Sequence, residues 1–123
     1  MESRLIKVSD RIFVAGARGM AGSAIVRALK RSGYGNPAQG GALLTPNREE
    51  LDLLDDKAVR HWMTNQKPDV VVVAAATVGG IEANRTRPAD FLLQNLRIET
   101  HVIETAWNTG PRRLLFLGSS CIY

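Results

Sequence analysis

Apolar residues fall into two alternating kinds of segment along this chain. Arg11-Ile-Phe-Val-Ala15 is a short apolar run that stops at Gly16, and Asp69-Val-Val-Val-Val-Ala-Ala-Ala76 is a longer one with no polar alternation. Runs of this kind suit strands covered on both faces, as in the middle of a parallel sheet. Ala42-Leu-Leu-Thr45, ended by Pro46, reads as a weaker strand, and Arg113-Leu-Leu-Phe-Leu-Gly118 as a further buried one. The segments between them change period. Ala21, Ala24, Ile25, Ala28 and Leu29 recur at helical spacing, with Lys30 and Arg31 in the last turn and Gly33 placed to cap it. Val59, Trp62 and Met63 share one face of a second helix, capped by Asp55 or Asp56 and stopped before Pro68. Pro88 suits the first turn of a long third helix, whose stripe runs through Phe91, Asn95, Ile98, Val102 and Ala106 to Gly110-Pro111. Tyr34 to Gly41, with three Gly and a Pro, reads as a loop. Strands alternating with helices predict an α/β fold, a parallel sheet with helices on both faces.

Composition narrows the class. The 123 residues are 45% hydrophobic and 23% charged, which excludes collagen, coiled coil and wholesale disorder. Cys121 is the only cysteine, so no intrachain disulfide can form, as suits a reducing compartment. The opening MESRLIKVSD has mixed charge and no signal-peptide pattern, and the apolar run from Val70 to Val78 is too short to span a bilayer. The expectation is a cytoplasmic protein with no membrane partner. The net charge is +4, and 12 of the 16 cations are Arg, the better fork for phosphate. Aromatic residues make up only 6%, so a nucleic-acid groove with interleaved rings is not expected. His61 and His101 stand at no metal-ligand spacing, and no metal site is expected.

The chemistry begins at Gly16-Ala-Arg-Gly19-Met-Ala-Gly22, between the first strand and the first helix. One glycine there permits a tight turn, a second lets the backbone approach a pyrophosphate, and a third lets helix and strand pack closely. The free N–H groups and dipole of the helix start favour an anion. Gly16, Ala17, Arg18, Gly19, Met20, Ala21 and Gly22 are therefore candidate dinucleotide contacts, and the fold class becomes a Rossmann-type parallel sheet. After the second strand comes Thr45-Pro-Asn-Arg48-Glu-Glu50. NAD enzymes usually place an acid there on the ribose 2′-hydroxyl, whereas NADP enzymes need a cation for the 2′-phosphate. Arg48, with Arg18, favours NADP(H); the plainer alternative is a solvated Arg48 paired with Glu49 or Glu50. Ala74, Ala75 and Ala76 end the third strand with side chains small enough for adenosine to lie against them. Val78-Gly-Gly-Ile81 and Ser119-Ser-Cys121 follow at the same edge of the sheet.

Several segments read together identify a resemblance. VAGARGMAGSAIVRAL, LDLLD, VVVAAATVGGIEANRTRPADF and LLFLGSSCIY closely resemble the GDP-L-fucose synthase family, within the extended short-chain dehydrogenase/reductase superfamily. The resemblance runs from about Arg11 to the last residue. Pro37 to Gly41 looks like an insertion, and Thr77 stands where relatives often carry Lys. The resemblance implies NADPH-dependent epimerisation at C3 and C5 of a GDP-4-keto-6-deoxymannose, followed by reduction of its 4-keto group. It implies that Ser119 hydrogen-bonds the reacting oxygen beside a Tyr and Lys of a Y-x-x-x-K motif, and that Cys121 is an acid/base for epimerisation. It also implies that Leu117, Gly118, Ser119 and Ser120 line the cofactor, that Val78, Gly79 and Gly80 face the GDP-sugar substrate, and that the family protein is a homodimer. No Y-x-x-x-K motif occurs among these residues. The chain thus reads as the N-terminal, cofactor-binding portion of such an enzyme, its sheet expected to continue beyond four strands. A non-catalytic NADP-binding module and another nucleotide-sugar epimerase or dehydratase are the alternatives.

Overall fold

A computed structural model describes residues 6–74 and 88–116. The elements run β1 (Arg11–Ala15), α1 (Met20–Arg31), a single 3-10 turn (Pro37–Gln39), β2 (Ala42–Leu44), α2 (Asp56–Gln66), β3 (Val70–Val73), α3 (Pro88–Thr109) and β4 (Arg113–Phe116). All ladders are parallel, in the order β2-β1-β3-β4. This is the Rossmann-like α/β arrangement that the alternation predicts. The chain winds outward from β1 to β2, then crosses back to place β3 on the other side of β1. The direction of winding therefore reverses between β1 and β3, and ligands of open α/β sheets bind outside the strand ends at such a point.

Successive strand side chains face opposite ways, so each central strand feeds two cores. Ile12, Val14, Val70 and Val72 face α1 and pack with Ile25, Val26 and Leu29. Phe13, Ala15, Val71 and Val73 face the other side, where Val59 and Met63 of α2 and Ile98, Val102 and Ala106 of α3 close over them. Phe13 and Trp62 meet with ring centroids 4.5 Å apart in a tilted pair. The unbroken apolar runs of β1 and β3 are explained by this double coverage.

The caps follow the sequence. Gly33 has φ +83°, and the amides of Gly33 and Tyr34 donate to the carbonyls of Lys30 and Leu29, which closes α1. Asp55 caps α2 by accepting from the Ala58 amide at 3.1 Å. Gly110, at φ +75°, ends α3.

Four expectations need correction. The inward face of α1 runs through Gly22, Ile25, Val26 and Leu29, while Ala21, Ala24 and Ala28 are exposed. Burial of Gly22 sets the rotation of the helix, and the alanines are small enough to face water at little cost. The loop from Tyr34 to Gly41 contains the 3-10 turn, which Asn36 caps by accepting from the Ala38 amide. Thr45 lies past the end of β2, and β3 is assigned only as far as Val73. Finally, β4 is not a buried strand: Leu114, Leu115 and Phe116 are 42–49% exposed. Among the described residues β4 pairs with β3 alone, and its continuous apolar run could not reveal what would cover it. The stripe of α3 is buried at Ile98, Val102 and Ala106, whereas the side chains of Phe91 and Asn95 lie outside the described residues. No described helix is long and apolar enough to cross a membrane.

A polar network fastens the amino edge of the sheet. The Asp69 carboxylate accepts from the Arg11 amide at 2.9 Å, and the Arg11 side chain donates to the carbonyl and the side-chain oxygen of Gln66. Asp10 is buried, accepts two hydrogen bonds from the Arg112 guanidinium at 3.1 and 2.5 Å, and takes a third from the Lys7 amide. Burial alone would push the Asp10 carboxyl up. The Arg112 hydrogen bonds, the Lys7 amide and the charges of both residues outweigh it and hold the carboxyl below its ordinary value. A lowered folded-state pKa stabilises the fold above the unfolded value of about 3.9, and that stabilisation fades as pH falls through the lowered value. Asp10→Asn should therefore cost stability near neutral pH, and the difference from wild type should shrink under acid conditions. Urea unfolding near pH 7 and near pH 3 measures this, and a pH-independent difference would contradict it.

Candidate functional site

The turn after β1 takes its shape from two glycines. Gly16 adopts φ +87°, a conformation that L side chains rarely adopt, and its carbonyl accepts from the Gly19 amide at 3.1 Å. Gly22 is buried in the first turn of α1, and a Cβ there would sit 1.9 Å from the Gly16 carbonyl oxygen. No side chain fits, so the start of α1 rests directly on the end of β1.

Gly19 differs. It is the N-cap of α1 with ordinary extended angles (φ −71°, ψ 171°), and a Cβ there would meet the Gly16 oxygen at 3.5 Å, an ordinary contact. The fold does not require glycine at this place. What an added side chain would affect is the approach to the helix start. No side chain caps α1 and no acid stands in its first turn. The amides of Met20, Ala21 and Gly22 belong to the first turn, where N–H groups lack intrahelical acceptors. An anion is the group this end of the helix would hold. The residues present thus fit a pyrophosphate.

The other candidates lie along the same edge. Arg18 is exposed, Ala17 is half-buried against the α1-side core, and Met20 is 92% exposed. The Ala74 amide donates to the Ala15 carbonyl at 2.9 Å, which carries the β1–β3 pairing up to the turn. β2 lies beside β1 with Leu44 level with Phe13, so Thr45 and the residues after it emerge at the carboxyl edge too. Arg48 is exposed there and forms no ion pair with Glu49 or Glu50 among the described residues. Ala75, Ala76, Thr77, Val78, Gly79, Gly80, Leu117, Gly118, Ser119, Ser120 and Cys121 lie outside the described residues. A shallow concavity also opens beside β2, between Leu43 to Pro46 and Trp62; no residue of the glycine turn lines it.

Two features escaped the sequence reading. Asn47 and Glu50 bond reciprocally, each backbone amide to the other's side chain, at 2.9 and 2.7 Å. The N-x-x-E spacing is a capping-box signal that could have revealed this. His101, which faces the Leu53 carbonyl at 3.0 Å through Nδ1, donates to it and ties α3 to the segment before α2. His61 instead pairs with Asn65 on its own helix at 3.0 Å. The two histidines therefore serve separate local contacts.

The strand order, the winding reversal and the glycine turn define a Rossmann-like fold. The chain belongs to the NAD dependent epimerase/dehydratase family, whose model matches residues 12–123. It is 50% identical over 115 residues to GDP-L-fucose synthase 1 of Arabidopsis thaliana, covering 94% of this chain and 34% of that protein. It is 49% identical over 114 residues to GDP-L-fucose synthase of Escherichia coli K12, covering 93% and 34%. Among solved structures it is similar to MlghC, a GDP-mannoheptose C4 reductase from Campylobacter jejuni with NADP bound. That match has 33% identity and a TM-score of 0.82, and covers 96% of this chain and 35% of that one. The chain thus spans about a third of the length of the curated relatives it matches.

The contrast between the glycines is testable by unfolding. Gly22→Ala should lower stability markedly, because α1 must move off the Gly16 carbonyl. Gly19→Ala should change it by less than about 1 kcal/mol, a cap effect offset by a stiffer unfolded chain. Equal losses in urea unfolding would refute this division of roles.

Proposed function

We propose that the chain is the dinucleotide-binding part of an NADP-dependent epimerase/reductase acting on a GDP-linked 4-keto sugar, of the GDP-L-fucose synthase type. The observation that carries the dinucleotide reading is Gly19, a glycine that the fold does not need, set at an uncapped helix start. In this reading Gly16 and Gly22 shape the turn, while Gly19 and the amides of Met20 and Ala21 take the pyrophosphate. Arg48 and Arg18 flank the ribose 2′-phosphate, and Ala74, Ala75 and Ala76 give the adenosine a flat wall. When bound, NADPH supplies the hydride for reduction of the 4-keto group.

The substrate class rests on the relatives. Identities near 50% to GDP-L-fucose synthases extend over almost the whole chain. Ser119 and Cys121 follow β4 by three and five residues in the sequence, and β4 runs parallel to β3 and β1, whose carboxyl ends border the proposed cofactor site. Ser119 would donate a hydrogen bond to the reacting oxygen. The Cys121 thiol would exchange protons with the sugar carbons, since an ordinary thiol pKa of about 8.5 needs only modest lowering for such a role. Val78, Gly79 and Gly80 would border the sugar.

Calorimetry tests the site directly. The chain should bind NADP, and Gly19→Val should abolish binding while leaving thermal unfolding nearly unchanged. Unaltered affinity would remove the glycine turn from the site. Because its 123 residues contain no Y-x-x-x-K motif, the chain alone should not oxidise NADPH with GDP-4-keto-6-deoxymannose. Turnover would overturn the assignment of that step to residues outside this sequence. Arg48→Ala should weaken NADP at least tenfold, roughly the loss of one charge-assisted hydrogen-bonded pair, and NAD little. An equal loss for both would remove the 2′-phosphate role.

A further inference from the structure

The segment after β2 is more highly ordered than a connection needs to be. Beyond Pro46 the chain makes one helical turn, in which the amides of Glu50 and Leu51 both donate to the Asn47 carbonyl, at 3.1 and 2.9 Å. The Asn47 side-chain oxygen accepts from the Glu50 amide at 2.7 Å, and the Glu50 carboxylate accepts from the Asn47 amide at 2.9 Å. This reciprocal arrangement ordinarily opens a long helix. Here the turn leads into two irregular residues and a second turn at Leu53 and Leu54, closed by the Asp55 amide on the Asp52 carbonyl, so the bracket serves the turn itself. Leu51, buried in the core beneath α2 and α3, anchors its far end.

The bracket encloses Arg48 and Glu49. Arg48 is exposed at the carboxyl edge of β2, beside the strand that carries the glycine turn, and no ion pair occupies it among the described residues. Glu50 is an acid close to where NAD enzymes direct a carboxylate at the ribose 2′-hydroxyl. In this chain that carboxylate is spent on the Asn47 amide. That carboxylate is thereby turned back into the backbone, and a cation is left outward on a turn already ordered. Order present before binding is order that the ligand need not impose.

We propose that Asn47 and Glu50 are positioning residues for cofactor choice: their reciprocal bracket holds Arg48 for the 2′-phosphate and withdraws Glu50 from the ribose. The inference rests on the proposed role of Arg48. It makes Glu50 an acid that favours NADP through its hydrogen bond, although its charge alone would repel a phosphate.

The test is calorimetric titration of the full chain with NADP and with NAD, for wild type, Glu50→Ala, Glu50→Gln and Arg48→Ala. Glu50→Ala should lower the preference for NADP about tenfold, as expected for loss of preorganisation at one contact. NAD affinity should barely change. Glu50→Gln keeps an acceptor for the Asn47 amide without the charge, and should restore the preference or raise it. Hydrogen exchange at the Asn47 amide provides the control: protection is lost in the Ala variant and retained in the Gln variant. If Glu50→Ala weakens both dinucleotides equally, or Gln behaves like Ala, the bracket has no positioning role and the inference falls. The inference falls alone if Glu50→Ala changes nothing while Arg48→Ala abolishes the preference. If Arg48→Ala also changes nothing, or neither dinucleotide binds wild type, the reading of the site falls with it.

Discussion

The rest of the molecule depends on the contact between the Gly16 carbonyl and the Gly22 backbone. With space for a Cβ removed at Gly22, the first turn of α1 lies against the end of β1. This proximity fixes which side of α1 turns inward, and so brings Ile25, Val26 and Leu29 onto Ile12, Val14, Val70 and Val72. It also points the start of the helix at the carboxyl edge of the sheet, where the winding reverses between β1 and β3. Packing and anion affinity thus come from one approach of two backbones. A larger residue at either glycine would disturb both.

The two ends of the sheet are built differently. At the amino edge the charged groups answer one another: Asp10 with Arg112, Arg11 with Gln66, and Asp69 with the Arg11 amide. No buried side-chain polar atom among the described residues lacks a partner. At the carboxyl edge, Arg18 and Arg48 are exposed without ion pairs among the described residues, and the helix start carries no side-chain cap. One edge is closed by mutual satisfaction and so contributes to stability. The other keeps donors and cations open, the disposition a polyanionic ligand requires.

What the sequence disclosed follows from how local each cause is. The double coverage of β3 could be read from four consecutive valines, and the end of α1 from Gly33, because both signals lie within a few residues. The glycine turn was legible by spacing, but the division of labour was not: only the distance from Gly22 to Gly16 separates a glycine the fold needs from Gly19, which it does not need. The rotation of α1 was misjudged because alanine counts as apolar yet contributes little to either face. Arg48 was legible as a cation after the second strand. The bracket around it is hard to read from sequence because the N-x-x-E spacing ordinarily opens a helix, and here only a turn follows.

β4 shows how a strand is held where packing does not do it. Leu114, Leu115 and Phe116 are exposed, and the described residues give β4 one sheet neighbour. Its register cannot come from a covering layer, although an apolar run of this kind suits a strand covered on both faces. It is set instead at its amino end. The Arg112 amide donates to the Asp69 carbonyl at 2.8 Å, while the Arg112 guanidinium reaches past β3 to Asp10, the residue before β1. Two sheet spacings separate β1 from β4, roughly 10 Å, which only a long side chain bridges. A shift of β4 by one residue would break this bidentate pair and leave a buried carboxylate without its cation, a costly state. Asp10 and Arg112 are far from the carboxyl edge, yet they determine where along the sheet the segment that follows β4 begins.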